Sequence, residues 1–167
     1  EIVCVVGGGD SACEEALYLS KLCKKVYLIH RRDVLRASKI MADRVQSDEK
    51  IEVVWNSLPE NFELDEQGFI KSFIVKNIAD GTIRTLVCKG VFLAIGWHPN
   101  TQNFKEVIPL DEKGYIKITK HSVCTPIEGI FAAGDCVDGL YRQACVAAGM
   151  GAQAALEAES WLENNEQ

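Results

Sequence analysis

Six residues near the start, Gly7-Gly8-Gly9-Asp10-Ser11-Ala12, have the types and spacing of a G-x-G-x-x-A turn. An apolar run from Ile2 to Val6 precedes them, and helical spacing follows from Asp10 to Leu22. In that setting each small residue has a physical task. Gly7 permits a tight turn, Gly9 lets the backbone approach a pyrophosphate, and Ala12 lets helix and strand pack closely. Gly8 completes the turn, while Asp10 and Ser11 open a helix whose free N–H groups and positive dipole end suit an anion. A bare glycine pattern serves equally well as a structural turn. The strand before it and the helix after it favour a dinucleotide.

A second cluster ends the next apolar strand. Tyr27-Leu28-Ile29 runs into His30-Arg31-Arg32, with Arg36 one turn on and no carboxylate before Asp33. An NAD site places an acid here to accept from the ribose 2′-OH. Guanidinium groups instead match a phosphate dianion in charge and in two-point geometry. A basic run is ordinarily a solvated loop. Position decides for NADP, since three arginines gather where the 2′-substituent should lie.

The third cluster is Gly129-Ile130-Phe131-Ala132-Ala133-Gly134-Asp135, an apolar stretch ending in an acid, followed by Tyr141-Arg142-Gln143-Ala144 at the start of a helix. The helix N-terminus offers donors to an electron-rich ring edge such as that of a flavin. By residue types alone, a strand-end Gly-Asp serves as a helix cap as readily as a flavin contact.

Periodicity supplies the elements that must hold these clusters. Strands are expected at 2–6, 26–29 and 51–55, with helices from Asp10 to Leu22 and from about Ser38 to Gln46, capped by Ser38 or Asp33. Alternating strand and helix is the pattern of a doubly wound α/β unit. Phe62 to Leu64, Phe69 to Asn77 and Ile83 to Cys88, broken at Gln67-Gly68 and Asp80-Gly81, read as an antiparallel meander. Val91 to Ile95 is again an apolar strand, ending at Gly96. Beyond it come a hairpin-like Tyr115 to Ile118, a strand at Ile130 to Ala133, and one long helix from about Arg142 to Glu163. A boundary near Gly96 to Asn100 divides the chain into 1–97 and 98–167.

The formal charge of −6 argues against a nucleic-acid partner, whose binders carry a basic face. No apolar run approaches the ~18 residues of a membrane span. The chain does not begin with Met and opens directly in a strand, so its native start is expected upstream. Seven cysteines, an odd count at wide spacing with no C-x-x-C, read as reduced structural thiols rather than disulfides or a metal site.

Four segments together resemble the low-molecular-weight thioredoxin reductases: GGGDSA at 7–12, HRRDVLRA at 30–37, AIGWHPNT at 94–101 and GIFAAGDCVDGLYRQACVAAGMG at 129–151. The resemblance implies a three-layer Rossmann-like NADPH-binding domain with a β-meander insert, followed by the C-terminal part of an FAD-binding domain. It assigns His30, Arg31, Arg32 and Arg36 to the 2′-phosphate segment of NADPH, and Gly134, Asp135, Arg142, Gln143 and Ala144 to FAD. Ile95 and Gly96 would lie near the nicotinamide and at the crossover between domains. His30 and His98 receive no catalytic role, and His98 is expected at the surface or in packing.

The same resemblance implies a homodimeric cytoplasmic enzyme that carries electrons from NADPH through FAD and a redox-active cysteine pair to thioredoxin. The N-terminal FAD domain and that C-x-x-C are not in this sequence, so the chain by itself is expected to bind NADPH and reduce nothing. Two other classes are compatible with the residues: a related flavin reductase with another acceptor, such as ferredoxin, and a silent nucleotide-binding module.

Overall fold

Val3 and Val5 point to one side of the first strand and Cys4 and Val6 to the other, and a separate apolar core grows on each side. In the computed structural model, residues 1–119 and 122–165 are described. They form two compact units, Glu1–Gly96 and Trp97–Gln167.

In the first unit, β1 (Ile2–Gly7), β2 (Lys25–Ile29), β3 (Ile51–Val54) and β7 (Val91–Ala94) form a parallel sheet in the order β3-β2-β1-β7. The register runs Val5 beside Leu28 on one edge and beside Phe92 on the other. Two helices, α1 (Asp10–Leu22) and α2 (Lys39–Ser47), cover one face of it. Ala12, Ala16 and Leu19 of α1 are buried there with Val26, Leu28 and Val45. The spacing of those residues is why α1 is a helix: they recur at one face, while Glu14, Tyr18 and Lys21 meet solvent.

The opposite face is covered differently from a doubly wound sheet. A meander of β4 (Ser57–Leu64), β5 (Ile70–Asn77) and β6 (Ile83–Val87) packs Phe73, Val75 and Leu86 against Cys4, Val6 and Ile29. The three layers are therefore helices, parallel sheet and antiparallel sheet. Glu52 of β3 bonds both Lys25 of β2 and, at 2.7 Å, Arg84 of β6, so a charge cluster fastens the meander to the sheet edge.

The second unit has little regular structure before α3 (Ala144–Asn165). Short turns at Gln102–Phe104 and Gly134–Cys136 and single bridges between Leu110 and Ile116 and between Cys124 and Phe131 surround a small core of Ile108, Ile116 and Ala132. The hairpin-like segment is present: Asp111 N–H donates to the Tyr115 carbonyl at 2.8 Å, closing the turn.

Several boundaries differ from those read in the sequence. β4 begins at Ser57, five residues before Phe62, because backbone pairing with β5 carries through the polar stretch Pro59 to Asn61. Ile130 to Ala133 is not a strand. Two backbone bonds, from Thr125 N–H to the Ile130 carbonyl and from Ala132 N–H to the Val123 carbonyl, make the single bridge of Cys124 with Phe131, and among the described residues no second bridge extends it. Arg142 stands outside the helix with φ +47, and α3 starts at Ala144. Ser38 is the residue capping α2, but its hydroxyl makes no cap bond, and Asp33 does not cap it. Cys4, Cys13 and Cys88 are buried, whereas Cys145 is exposed, so packing does not account for it. Burial pushes the Cys13 thiol up to about 11, helped by the nearby Asp10 and Glu14 carboxylates.

Candidate functional site

The glycine turn is shaped by what surrounds each residue. A side chain at Gly7 would come within 2.5 Å of the Ala94 carbonyl oxygen and 2.6 Å of the Ala12 methyl, so β1, β7 and α1 converge there with no room for a Cβ. A side chain at Gly8 would enter the His30 ring. Gly9 is the opposite case. It faces open space, with nothing within 4 Å of where a methyl would sit, and it caps α1 with no side-chain bond. The first-turn N–H groups of α1 therefore lack the acceptors that helix geometry denies them. That is the arrangement an incoming anion completes.

The arginine loop is stitched onto this turn at four points. Gly8 carbonyl accepts the Arg36 N–H at 2.7 Å and the Ala37 N–H at 3.1 Å. Asp10 Oδ1 accepts the Ser38 N–H at 2.8 Å. His30 Nδ1 lies 3.0 Å from the Gly7 carbonyl, and its Nε2 lies 3.0 Å from the Val34 carbonyl. On the other side, Ser57 and Asn56 donate their N–H groups to the carbonyls of His30 and Arg32. The loop's backbone is thus fixed while Arg31, Arg32 and Arg36 remain exposed. Among the described residues none of the three forms an ion pair.

A cleft of about 430 Å³ opens over this assembly, lined among others by Gly7, Gly8, His30, Arg31, Arg36, Ala94 and Ile95. Six of the residues singled out in the sequence meet in it. Arg32 does not line it, and Asp10 has its carboxylate turned to the Ser38 backbone. Ala12 is buried beneath the turn, Ser11 is exposed on the helix start, and Gly96, with φ +105, follows directly after the cleft. His30 is 5% exposed with both ring nitrogens engaged, so it braces the turn from below. Burial, chiefly, and then Arg36 and Arg32 push its pKa below the ordinary imidazole value, against the pull of the two carbonyls. Sequence reasoning missed Ser57, Leu58 and Pro59, which form one wall of the cleft. The sequence signal for them was Asn56, a residue type that tolerates the left-handed conformation it adopts at this corner, φ +50.

The second unit carries its own cleft of about 410 Å³, lined by Asp135, Tyr141, Arg142 and Gln143 with Trp97, His98, Pro99 and Tyr115. Gly134, buried with φ +79, places Asp135 in a short turn. Ala144 is the first residue of α3, and the Gln143 carbonyl accepts the helix's first bond, from Ala147 at 2.9 Å. The loop before α3 is organised by a residue that went unnoticed in the sequence. Asp138 accepts the N–H groups of Leu140, Tyr141 and Arg142 at 2.9 to 3.1 Å. Those bonds, from Tyr141 first, hold its carboxyl below the usual carboxylate range.

The family model for pyridine nucleotide-disulphide oxidoreductases matches residues 1–151. The chain belongs to the pyridine nucleotide-disulphide oxidoreductase family. Within that family it is similar to a thioredoxin reductase of Spironucleus barkhanus, 48% identical over 161 residues, covering 96% of this chain and 52% of the relative. A Chlamydia trachomatis thioredoxin reductase is also 48% identical, with 96% and 51% covered. Among solved structures, thioredoxin reductase from Giardia duodenalis superposes with TM-score 0.78 at 46% identity, covering 97% of this chain and 53% of that one. The chain spans about half the length of the curated relatives it matches. Among the described residues of this family member, no helix is long and apolar enough to cross a membrane, and no three His, Cys, Asp or Glu side chains gather as a metal site would need.

Proposed function

We propose that this chain is the NADPH-binding part, with a flavin-contacting segment, of an NADPH-dependent flavoprotein thioredoxin reductase. One observation carries the reading: an uncapped helix start and open Gly9 are tied through Gly8 and Asp10 to the loop that exposes Arg31 and Arg36, unpaired, at the cleft lined by Gly7 and Gly8. Residues 1–97 would form the NADPH domain and residues 98–167 the C-terminal segment of the FAD domain.

The residues fit the absent groups chemically. Free N–H groups of α1 and the backbone at Gly8 and Gly9 would take the pyrophosphate of NADPH. Arg31 and Arg36 would hold its 2′-phosphate through paired N–H donors, with Arg32 adding charge from outside the cleft. Ile95 and Gly96, after β7, would border the nicotinamide. Asp135, Arg142, Gln143 and the N–H groups at Ala144 would hold and orient FAD, with Gly134 allowing the turn that presents Asp135. When bound, NADPH supplies a hydride and FAD passes the electron pair on. The chain's own residues bind, orient and bias charge. None of its cysteines has the spacing of a redox pair, so the acceptor disulfide that serves thioredoxin would come from elsewhere in the enzyme.

A homodimeric enzyme acting in the cytoplasm, with no nucleic-acid or membrane partner, accompanies this reading. Titration of the chain with NADPH and NADH side by side by calorimetry tests it. A preference for NADPH of about tenfold or more is expected from charge-assisted bonds to the extra phosphate. Equal binding of the two, or none of either, overturns it.

A further inference from the structure

His30 is held by geometry that a neutral ring cannot fully satisfy. Both ring nitrogens face carbonyl oxygens at 3.0 Å, those of Gly7 and Val34. A neutral imidazole carries one N–H, so it donates to one carbonyl and turns a lone pair toward the other. Only the imidazolium donates to both. The ring is nevertheless enclosed, with Gly8 against its face and the Trp55 ring edge-on at 6.4 Å. Burial opposes its charge.

The surroundings decide when the second proton is held. From its own loop, the charges that bias the ring are Arg36 and Arg32. The glycine turn presents the Gly7 carbonyl and Gly8 to it, with the Asp10 carboxylate bonded to the Ser38 N–H, and the corner from β3 to β4 presents the uncharged Trp55. Among the described residues no carboxylate offsets the two arginines at the ring. Anything that neutralises them makes the protonated ring easier to form.

Resting on the reading of the arginine cluster as a 2′-phosphate site, we propose that His30 is a positioning residue whose protonation is coupled to phosphate occupancy, each favouring the other. A phosphate dianion held at Arg36 offsets the positive charge that acts on the ring and raises the fraction of rings that carry the second proton. In that fraction the imidazolium donates to Gly7 and Val34 together, which tightens the glycine turn against the arginine loop while ligand is present. The turn that meets the pyrophosphate and the loop that meets the 2′-phosphate are thus tightened by the same event.

The test follows the imidazole resonances of the chain by NMR across a pH titration, with 2′,5′-ADP as the probe and 5′-AMP, which lacks the 2′-phosphate, as its control. The sequence has three histidines. His98→Gln and His121→Gln assign their signals and leave His30 untouched, so no variant of the brace itself needs to fold. With 2′,5′-ADP the His30 ring is expected to gain about threefold in proton affinity, the order for a partly screened charge beyond direct contact. With 5′-AMP it is expected to stay where it is. If 2′,5′-ADP perturbs the backbone amides of Gly8 to Ala12 and of the arginine loop but the His30 titration does not move, the coupling is wrong and the phosphate site stands. If neither those amides nor His30 respond, the phosphate site falls and the coupling with it.

Discussion

Gly8 and Arg36 are joined through the backbone, the Gly8 carbonyl accepting the Arg36 N–H at 2.7 Å. The glycine turn and the arginine loop are therefore one piece of structure, although they lie far apart in sequence. Changes in the turn should separate cleanly into those that disturb this piece and those that only block what it faces.

Gly8→Ala and Gly9→Ala make that separation. A methyl at Gly8 runs into the His30 ring, and overpacking of this kind costs about 1–3 kcal/mol. A methyl at Gly9 meets nothing, and its φ of −93 suits any residue. Urea unfolding should show a clear loss for Gly8→Ala and a smaller one, about 0.5–1 kcal/mol, for Gly9→Ala, because Ala is a poorer N-cap than Gly. NADPH titration should show the reverse emphasis, with Gly9→Ala weakening binding about tenfold through crowding of the pyrophosphate.

The three arginines should not be equivalent. Arg31 and Arg36 line the cleft and Arg32 does not. Replacing either of the first two by Ala should weaken NADPH binding by about tenfold or more, the worth of a charge-assisted hydrogen bond, and leave NADH binding nearly unchanged. Arg32→Ala should lower NADPH affinity less, with an effect that fades as salt rises. Calorimetry at two salt concentrations distinguishes these patterns, and equal losses at all three positions would contradict the geometry.

Stability of the ligand-free chain should depend on His30 with a definite sign. Its folded pKa lies below the ordinary value of 6.5, mainly because the ring is buried. The stabilisation is complete above that value and is lost as pH falls from 6.5 through the folded pKa. Thermal unfolding between about pH 7 and pH 5 should show a decline for the native chain. In His30→Gln, the decline over that window should be smaller.

Asp138 gives a second test at the other cleft. With Ala at this position the N–H groups of Leu140, Tyr141 and Arg142 lose their shared acceptor. Amide hydrogen exchange at those three positions should speed up while the core around Ile108 and Ile116 stays protected. Because the carboxyl is held below its usual range, the native loop should keep its order until pH falls below that range.

The sheet and the turn were legible because burial on both faces leaves a continuous apolar run, as in Ile2 to Val6, and because G-x-G-x-x-A has few meanings between a strand and a helix. Ser57 to Asn61 was not, since a strand edge that pairs only by backbone needs no apolar side chains. Ile130 to Ala133 misled for the converse reason: apolar residues record burial, and burial does not supply pairing partners. The arginine cluster was readable by position, but that Arg32 turns away and His30 turns inward depends on contacts made from distant segments. A left-handed Arg142 likewise has no signature in its side chain.

Strand β1 lies at the centre of the parallel sheet, yet the neighbour that completes it on one side, β7, follows only after the whole meander. During synthesis β1, β2 and β3 can assemble with their helices early, while one edge of β1 and the Gly7 contact with Ala94 wait for late sequence. Such long-range pairing slows folding. The glycine turn is thus expected to take its finished shape late, since a nascent chain that has not yet made β7 lacks the Ala94 carbonyl against which Gly7 packs.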